Sequence, residues 1–386
     1  MSRENYTLPE GSLIGFMSNK VKQFGGINLA QGIPGFDPPA ELLEILRQIT
    51  PDNFHQYAPG IGNLSLRQQI LEQYSLVIDG IQEENLLITN GATEALALIF
   101  HFISNLHPEQ FTAMAFSPVY ESYRNLPIFF GKKFVEYEVN NLDNIDFEEL
   151  RKFIRQKRVK AIFVASPGNP LGYMFSQEQV DHLLEICNME QCFLILDIVY
   201  RQLYFNQPNH IRFQYFPRYL FLVDSFSKLL SITGWRIGFF FANTEHMKAL
   251  RNIHDYTGLC APSILQEALN RYLKNFTFGE SYVQGIRKIM AENYRNVVQM
   301  LDGLGFQSVP AHGGFFVWTK LPPDIDDGFL FALKLYQKTQ VAVVPGIHFS
   351  THGKSFVRFN IARKPDELLI AMERIERFMR EERNSF

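Results

Sequence analysis

The stretch YLFLVDSFSKLLSITGWRIGFFFA, Tyr219–Ala242, sets a single lysine between two apolar runs. Runs of this kind, without polar alternation, read as strands buried on both faces of a sheet. Lys228 therefore stands where a solvated lysine would be out of place. Ser225 and Ser227 precede it, and the next cation, Arg236, follows eight residues on. An amine in a low-dielectric surround with few charged neighbours loses proton affinity and becomes a nucleophile toward a carbonyl. The serines and Arg236 are donors suited to a phosphate dianion. An aldehyde cofactor bearing a phosphate would be held at both ends, and pyridoxal 5'-phosphate fits that description. A lysine snorkelling from a strand end also fits this stretch taken alone.

Such a cofactor needs an acid beside its pyridine nitrogen, because only the protonated ring drains electrons from a substrate's α-carbon. Asp197 lies in CFLILDIVY, Cys192–Tyr200, another run that reads as a buried parallel strand. An ionised carboxylate there is costly without a cationic partner, and a pyridinium would be one. Tyr200 and Asn169, the latter in ASPGNPLGY, could both donate to the ring oxygen. Singly, each residue has an ordinary alternative: a helix N-cap for Asp197, a turn residue for Asn169 beside Pro170, a packed core aromatic for Tyr200. Their order along the chain, Asn, Asp, Tyr, Lys, Arg, favours the shared site.

The phosphate end calls for a helix N-terminus, where free N–H groups and the helix dipole face an anion. LLIT gives way at Asn90-Gly91-Ala92-Thr93 to the helical pattern EALALIFHFISNL. Gly91 would allow close backbone approach and Thr93 would add a hydroxyl. In SPVYESY, Tyr120 could lie flat on the cofactor ring. An ordinary helix start and core packing are the plainer readings of these two segments.

At 386 residues the chain exceeds one compact core, and 46% hydrophobic with 20% charged residues is ordinary globular composition. A formal charge of -3 gives no field that would draw nucleic acid or an anionic membrane. Basic RQKRVK is short and reads as a solvated face. Cys187, Cys192 and Cys260 are too few and too irregular for a disulfide framework or a zinc site, so no metal is expected and a reducing cytoplasm is the expected home. MSRENYTLPEGS lacks the apolar core of a signal peptide, and no run approaches the length of a membrane span. Strands are predicted at LLIT, TAMAFS, KFVEYEV, KAIFVAS, CFLILDIV, YLFLVDSF and IGFFFA, with helices between or beside them. This is an α/β pattern of a sheet wrapped by helices. From about Glu280 a long helical pattern leads into GGFFVWTKL, VAVVPG and SFVRFNIA and closes with a further helix, as in a small α+β domain.

With these segments in place, the chain resembles the class I/II aminotransferases of pyridoxal-phosphate fold type I, the aspartate aminotransferase superfamily. It is most similar to the branch of methionine and kynurenine aminotransferases. The resemblance covers essentially the whole chain in eight ordered segments: NLAQGIPGFDPP, QYAPGIGNLSLR, NGATEAL, SPGNPLG, the Asp-x-x-Tyr strand, SFSK, GWRIG and VRFNIAR. It implies a mostly parallel seven-stranded sheet between helices in a large cofactor-binding domain, residues 45–279. The small domain would be discontinuous, residues 1–44 and 280–386.

Site roles follow from the same resemblance. Lys228 would carry the cofactor and shuttle the α-proton, Asp197 would pair with the pyridinium, Tyr200 and Asn169 would bond the ring oxygen, and Tyr120 would stack. Gly91, Ala92, Thr93, Ser225 and Arg236 would hold the phosphate, joined by Tyr57 from the other protomer of a homodimer. Arg358 would grip the substrate carboxylate, with Asn169 and Gly32 beside it. A bidentate guanidinium that keeps its charge suits that task. Two departures are visible. Asp197-Ile198-Val199-Tyr200 lacks the family's usual Glu after Asp, and Gly168 stands where kynurenine-type members often have a first Asn.

The expected reaction is ping-pong transamination between an amino acid donor and a 2-oxo acid acceptor. With 36 Phe and 16 Tyr in the chain, and Phe16, Phe36 and Phe349 in segments able to line a pocket, the expected donors are methionine, phenylalanine, kynurenine or glutamine. A cysteine-conjugate β-lyase is the alternative enzyme. A noncatalytic cofactor-binding regulator is the alternative of another class, and the DNA-binding extension such proteins carry is not expected here.

Overall fold

The structure is a computed structural model that describes residues 8–139, 141–208 and 211–383. Among them are thirteen strands. In chain order they are β1 (Ile27–Asn28), β2 (Leu86–Thr89), β3 (Thr112–Phe116), β4 (Lys133–Tyr137), β5 (Val159–Ala165), β6 (Phe193–Asp197), β7 (Leu220–Ser225), β8 (Gly238–Ala242), β9 (Gln307–Ser308), β10 (Phe316–Lys320), β11 (Val341–Ala342), β12 (Val344–Pro345) and β13 (Phe356–Asn360).

All seven predicted strands enter one sheet, ordered β2-β8-β7-β6-β5-β3-β4. Its pairs are parallel except those of β8, which runs antiparallel to both neighbours. Alternate side chains of each strand enter different cores, as a period of two requires. Leu194, Leu196, Leu222 and Phe239 pack on one face, and Phe193, Ile195, Phe221 and Phe240 on the other. These eight side chains are at most 2% exposed, and each such burial contributes about 1.5–3 kcal/mol. The helix Ala92–Leu106 lies over the second face and buries seven residues, so it is apolar nearly all round.

A third core surrounds the four-stranded sheet β12-β13-β10-β9. Leu13, Met17, Ile27, Leu29 and Ala30 pack in it together with Phe316, Val344, Phe359 and Met379. The N-terminal segment is pinned there by a parallel pairing of β1 with β11, Ile27 opposite Val341. The 24-residue helix Glu280–Gly303 leads into this part of the molecule.

One local expectation shifts. The strand read through YLFLVDSF ends at Ser225, and Phe226–Leu229 instead forms a short helix carrying Lys228. Phe226 turns into the core under the sheet, which a straight strand end would not allow.

Candidate active site

The carboxyl ends of β5, β6 and β7 lie side by side, and the chain leaves them at Ser166, Ile198 and Phe226. This is where open parallel sheets place ligands. A cavity of about 220 Å³ sits there, lined by Gly32, Ala92, Thr93, Tyr120, Asn169, Asp197, Tyr200, Ser225, Lys228, Arg236 and Arg358 from the sequence reading. Ile14, Leu96, Glu121, Tyr123, Ala165, Val199, Ser227 and Thr233 complete the wall. Two of the residues expected to hold the phosphate are absent from the lining. Gly91 lies behind it against Arg236, and Tyr57 is 81% exposed on the surface of this chain.

Lys228 Nζ donates to the carbonyl of Gly32 at 2.7 Å. Burial chiefly, then the charges of Arg358 and Arg236, brings its ammonium down to about 8, while Asp197 pulls the other way. Asp197 is 6% exposed and accepts from the Tyr123 hydroxyl at 2.7 Å and the Val199 N–H at 3.1 Å. Burial raises its carboxyl above the usual range, with these bonds and Lys228 opposing. Tyr200 is packed edge-on to Phe315 and Phe316, and burial holds its phenol protonated well beyond the usual range. Tyr120 stands edge-on to Tyr123, its phenol also raised by burial.

The helix Ala92–Leu106 begins at Gly91, φ 80°, with no side-chain cap. Its first N–H groups have no intrahelical acceptor, and Ala92 and Thr93 open onto the cavity. Arg236 sits beside this terminus, donating to the carbonyls of Thr233 at 2.9 Å and Asn90 at 3.2 Å. A Cβ on Gly91 would lie 2.3 Å from the Arg236 guanidinium, and one on Gly238 would lie 2.5 Å from the Ala92 nitrogen. Two glycines thus permit the contact of guanidinium, strand and helix end.

Arg358, on β13, is fully buried. Its guanidinium donates to Asn169 Oδ1 at 2.9 Å and to the Ala30 carbonyl, and lies 4.2 Å from the Phe316 ring centre. Desolvation brings it down to about 10. Its Nε has no hydrogen-bond partner among the described residues.

These groups fit pyridoxal phosphate. An uncapped helix end with an arginine suits a phosphate, a buried carboxylate short of a cation suits a pyridinium, and an amine of lowered basicity suits an aldehyde. The aromatic lining differs from expectation. Phe349 lies behind Arg358, its ring centre 4.9 Å from the guanidinium, and Phe16 packs on Phe329. Neither they nor Phe36 line the cavity, which is walled by Tyr120, Tyr123 and Tyr200 instead. Tyr123 as the donor to Asp197 was missed, although it follows Tyr120 by three residues, one helical turn on.

A family model described as Aminotransferase class I and II matches residues 25–375. The chain is 28% identical over 375 residues to a probable N-acetyl-LL-diaminopimelate aminotransferase of Bacillus subtilis, covering 95% of this chain and 93% of that one. It is also 28% identical over 361 residues to a probable aspartate aminotransferase of Methanocaldococcus jannaschii, covering 89% and 90%. Aspartate aminotransferase from Thermus thermophilus with maleate superposes with a TM-score of 0.86 at 25% identity, covering 98% of this chain and 99% of that one. These names are of diaminopimelate and aspartate enzymes, whereas the sequence reading favours methionine and kynurenine enzymes.

Proposed function

Since this chain belongs to the class I and II aminotransferases and is a pyridoxal-phosphate-dependent transaminase, we propose that its donor is an amino acid with an apolar, sulfur-containing or aromatic side chain. One observation carries this preference. The cations lining the cavity are Lys228, Arg236 and Arg358, and each has a task already, while Glu121 adds a negative charge to the wall. A side-chain carboxylate would find no free cationic partner in the cavity wall among the described residues.

Bound pyridoxal phosphate supplies the electron sink that lets an amino acid lose its α-proton. In this proposal the Lys228 amine would hold the cofactor at its aldehyde end and would move the substrate's α-proton. Asp197, oriented by Tyr123, holds the ring nitrogen protonated. Tyr200 and Asn169 would donate to the ring oxygen, and Tyr120 would stack on the ring. The N–H groups of Ala92 and Thr93, the hydroxyls of Thr93 and Ser225, and Arg236 hold the phosphate, with Gly91 keeping the helix end open. Arg358, steadied by Asn169 and the Ala30 carbonyl, takes the α-carboxylate, while Gly32 leaves room beside it.

The cofactor-binding part is residues 45–279 and the second part residues 1–44 with 280–386, a division supported by the packing of Leu13, Met17 and Ile27 with Phe359 and Met379. Residues 1–7, 140, 209–210 and 384–386 of that division lie outside the described residues. A homodimer completes the site, with Tyr57 of one protomer reaching its neighbour's phosphate; its 81% exposure leaves the ring free for that contact.

The test is a donor panel of methionine, phenylalanine, kynurenine, glutamine, aspartate and glutamate, each paired with whichever of 2-oxoglutarate and 2-oxo-4-methylthiobutyrate is not its own 2-oxo acid. The neutral donors are expected to exceed aspartate in kcat/KM by at least about tenfold. Equal turnover of aspartate and methionine would refute the preference.

A further inference from the structure

Glu121 is the first residue of the helix Glu121–Phe129 and, among the described residues, the one that the active-site lining shares with an outer cleft. Inward it forms part of the active-site wall with Ile14, Gly32 and Arg358. Outward it faces a cleft of about 450 Å³ bordered by Pro9, Ser12, Leu13, Arg124, Ile347 and His348. Its side chain keeps 25% exposure, and Oε2 lies 3.1 Å from His348 Nε2. Burial raises its carboxyl, but the nearness of His348 and Ser12 and the field of Arg358 outweigh it and hold the group below the usual range. The cleft's arginine offers nothing to spare: Arg124 pairs with Glu136 at 2.6 Å and donates to the carbonyls of His348 and Phe349.

A substrate held at Arg358 by its α-carboxylate and at Lys228 by its amine has its side chain left to lie along the remaining wall. Glu121 is the charged group on that wall without a task in the transfer, and it separates the reaction chamber from the outer cleft. A carboxylate brought against it meets like charge in a half-dry site, with the nearest cations already committed. A thioether, an aromatic ring or an amide does not. We propose that Glu121 reads the donor's side chain, turning away carboxylates and accepting neutral side chains along the wall that it forms with His348 toward the outer cleft.

This inference rests on the donor preference proposed above, and Glu121→Gln separates the two. That change keeps size and most hydrogen bonding while removing the charge. The ratio of kcat/KM for glutamate over methionine is expected to rise at least about tenfold in the variant. Binding should move in parallel: calorimetry with the unreactive pair glutarate and 3-phenylpropanoate should show glutarate gaining relative affinity by a similar factor. A purely structural role would lower both donors together and leave the ratio in place. If the native enzyme prefers methionine and Glu121→Gln leaves both ratios within about twofold, the role of Glu121 is refuted and the donor preference stands. If the native enzyme turns over aspartate and methionine alike, both fall. Should Glu121→Gln fold poorly, Glu121→Met carries the same test.

Discussion

Lys228 shows at the scale of one side chain how the fold makes an amine reactive. Its ammonium loses stability mainly to burial, then to Arg358 and Arg236, and titrates at about 8 rather than 10.5. Only the neutral amine attacks an aldehyde, so attachment of cofactor to the empty protein should quicken about tenfold per pH unit up to about pH 8 and level off above. Stopped-flow visible absorbance checks this, and a rise continuing past about pH 10 would contradict it. Asp224 behaves oppositely. Half-buried beside the Tyr74 hydroxyl that donates to it, it is pushed up to about 7 by desolvation, against the pull of Arg201. A group whose folded pKa lies above its unfolded one binds protons more tightly in the folded state. Its contribution to stability is therefore present below about pH 4 and lost as pH rises through about 7. Asp224→Asn should flatten the fall of Tm between about pH 4 and 7, measured by calorimetry on cofactor-free protein. An unchanged slope would remove Asp224 as its source.

At the scale of elements, the contact between the start of helix Ala92–Leu106, the β7–β8 turn and Arg236 decides whether an anion can be held. Gly91 has φ 80° and a hydrogen in place of a Cβ that would strike Arg236. Gly91→Ala should thus cost about 1–3 kcal/mol in backbone strain and also displace the guanidinium. Gly131 is a useful comparison, with φ 68° and nothing within 4 Å of its missing Cβ. Equilibrium dialysis should find cofactor affinity lowered at least about tenfold by Gly91→Ala and little changed by Gly131→Ala. Equal affinities would mean the two glycines differ in nothing but location. The same elements show why strand order is not legible in the chain. The run GFFFA of β8 is as apolar as its neighbours, yet it inserts antiparallel between β2 and β7. Periodicity reports which faces are buried and is silent about which strand lies alongside.

At the scale of the whole molecule, the site draws on segments from residue 14 to residue 358, and in the proposed dimer on Tyr57 of the neighbour. Mixing two impaired homodimers tests that exchange. With Lys228→Ala on one chain and Tyr57→Ala on the other, a hybrid has one doubly damaged site and one intact site. Activity should rise above either parent on mixing, toward about half the native rate per hybrid. No recovery would place Tyr57 in its own protomer's site. Much of this arrangement could be read before any coordinates. Lys228, Asp197 and Tyr200 stand at or just past the ends of apolar runs, Arg236 comes two residues before a glycine-led strand, and Gly91 precedes a helical pattern, so local spacing marks each one. Composition and periodicity likewise determined the seven strands of the large sheet and the α/β class, because burial on both faces leaves its mark on every residue of a strand. Only the tertiary structure decided that Tyr123 donates to Asp197, that the Gly32 carbonyl accepts from Lys228 across 196 positions of chain, and that Glu121 stands between the chamber and the outer cleft. Those contacts depend on how far apart in sequence two segments are when packing brings them together, and no local pattern of residues encodes that distance.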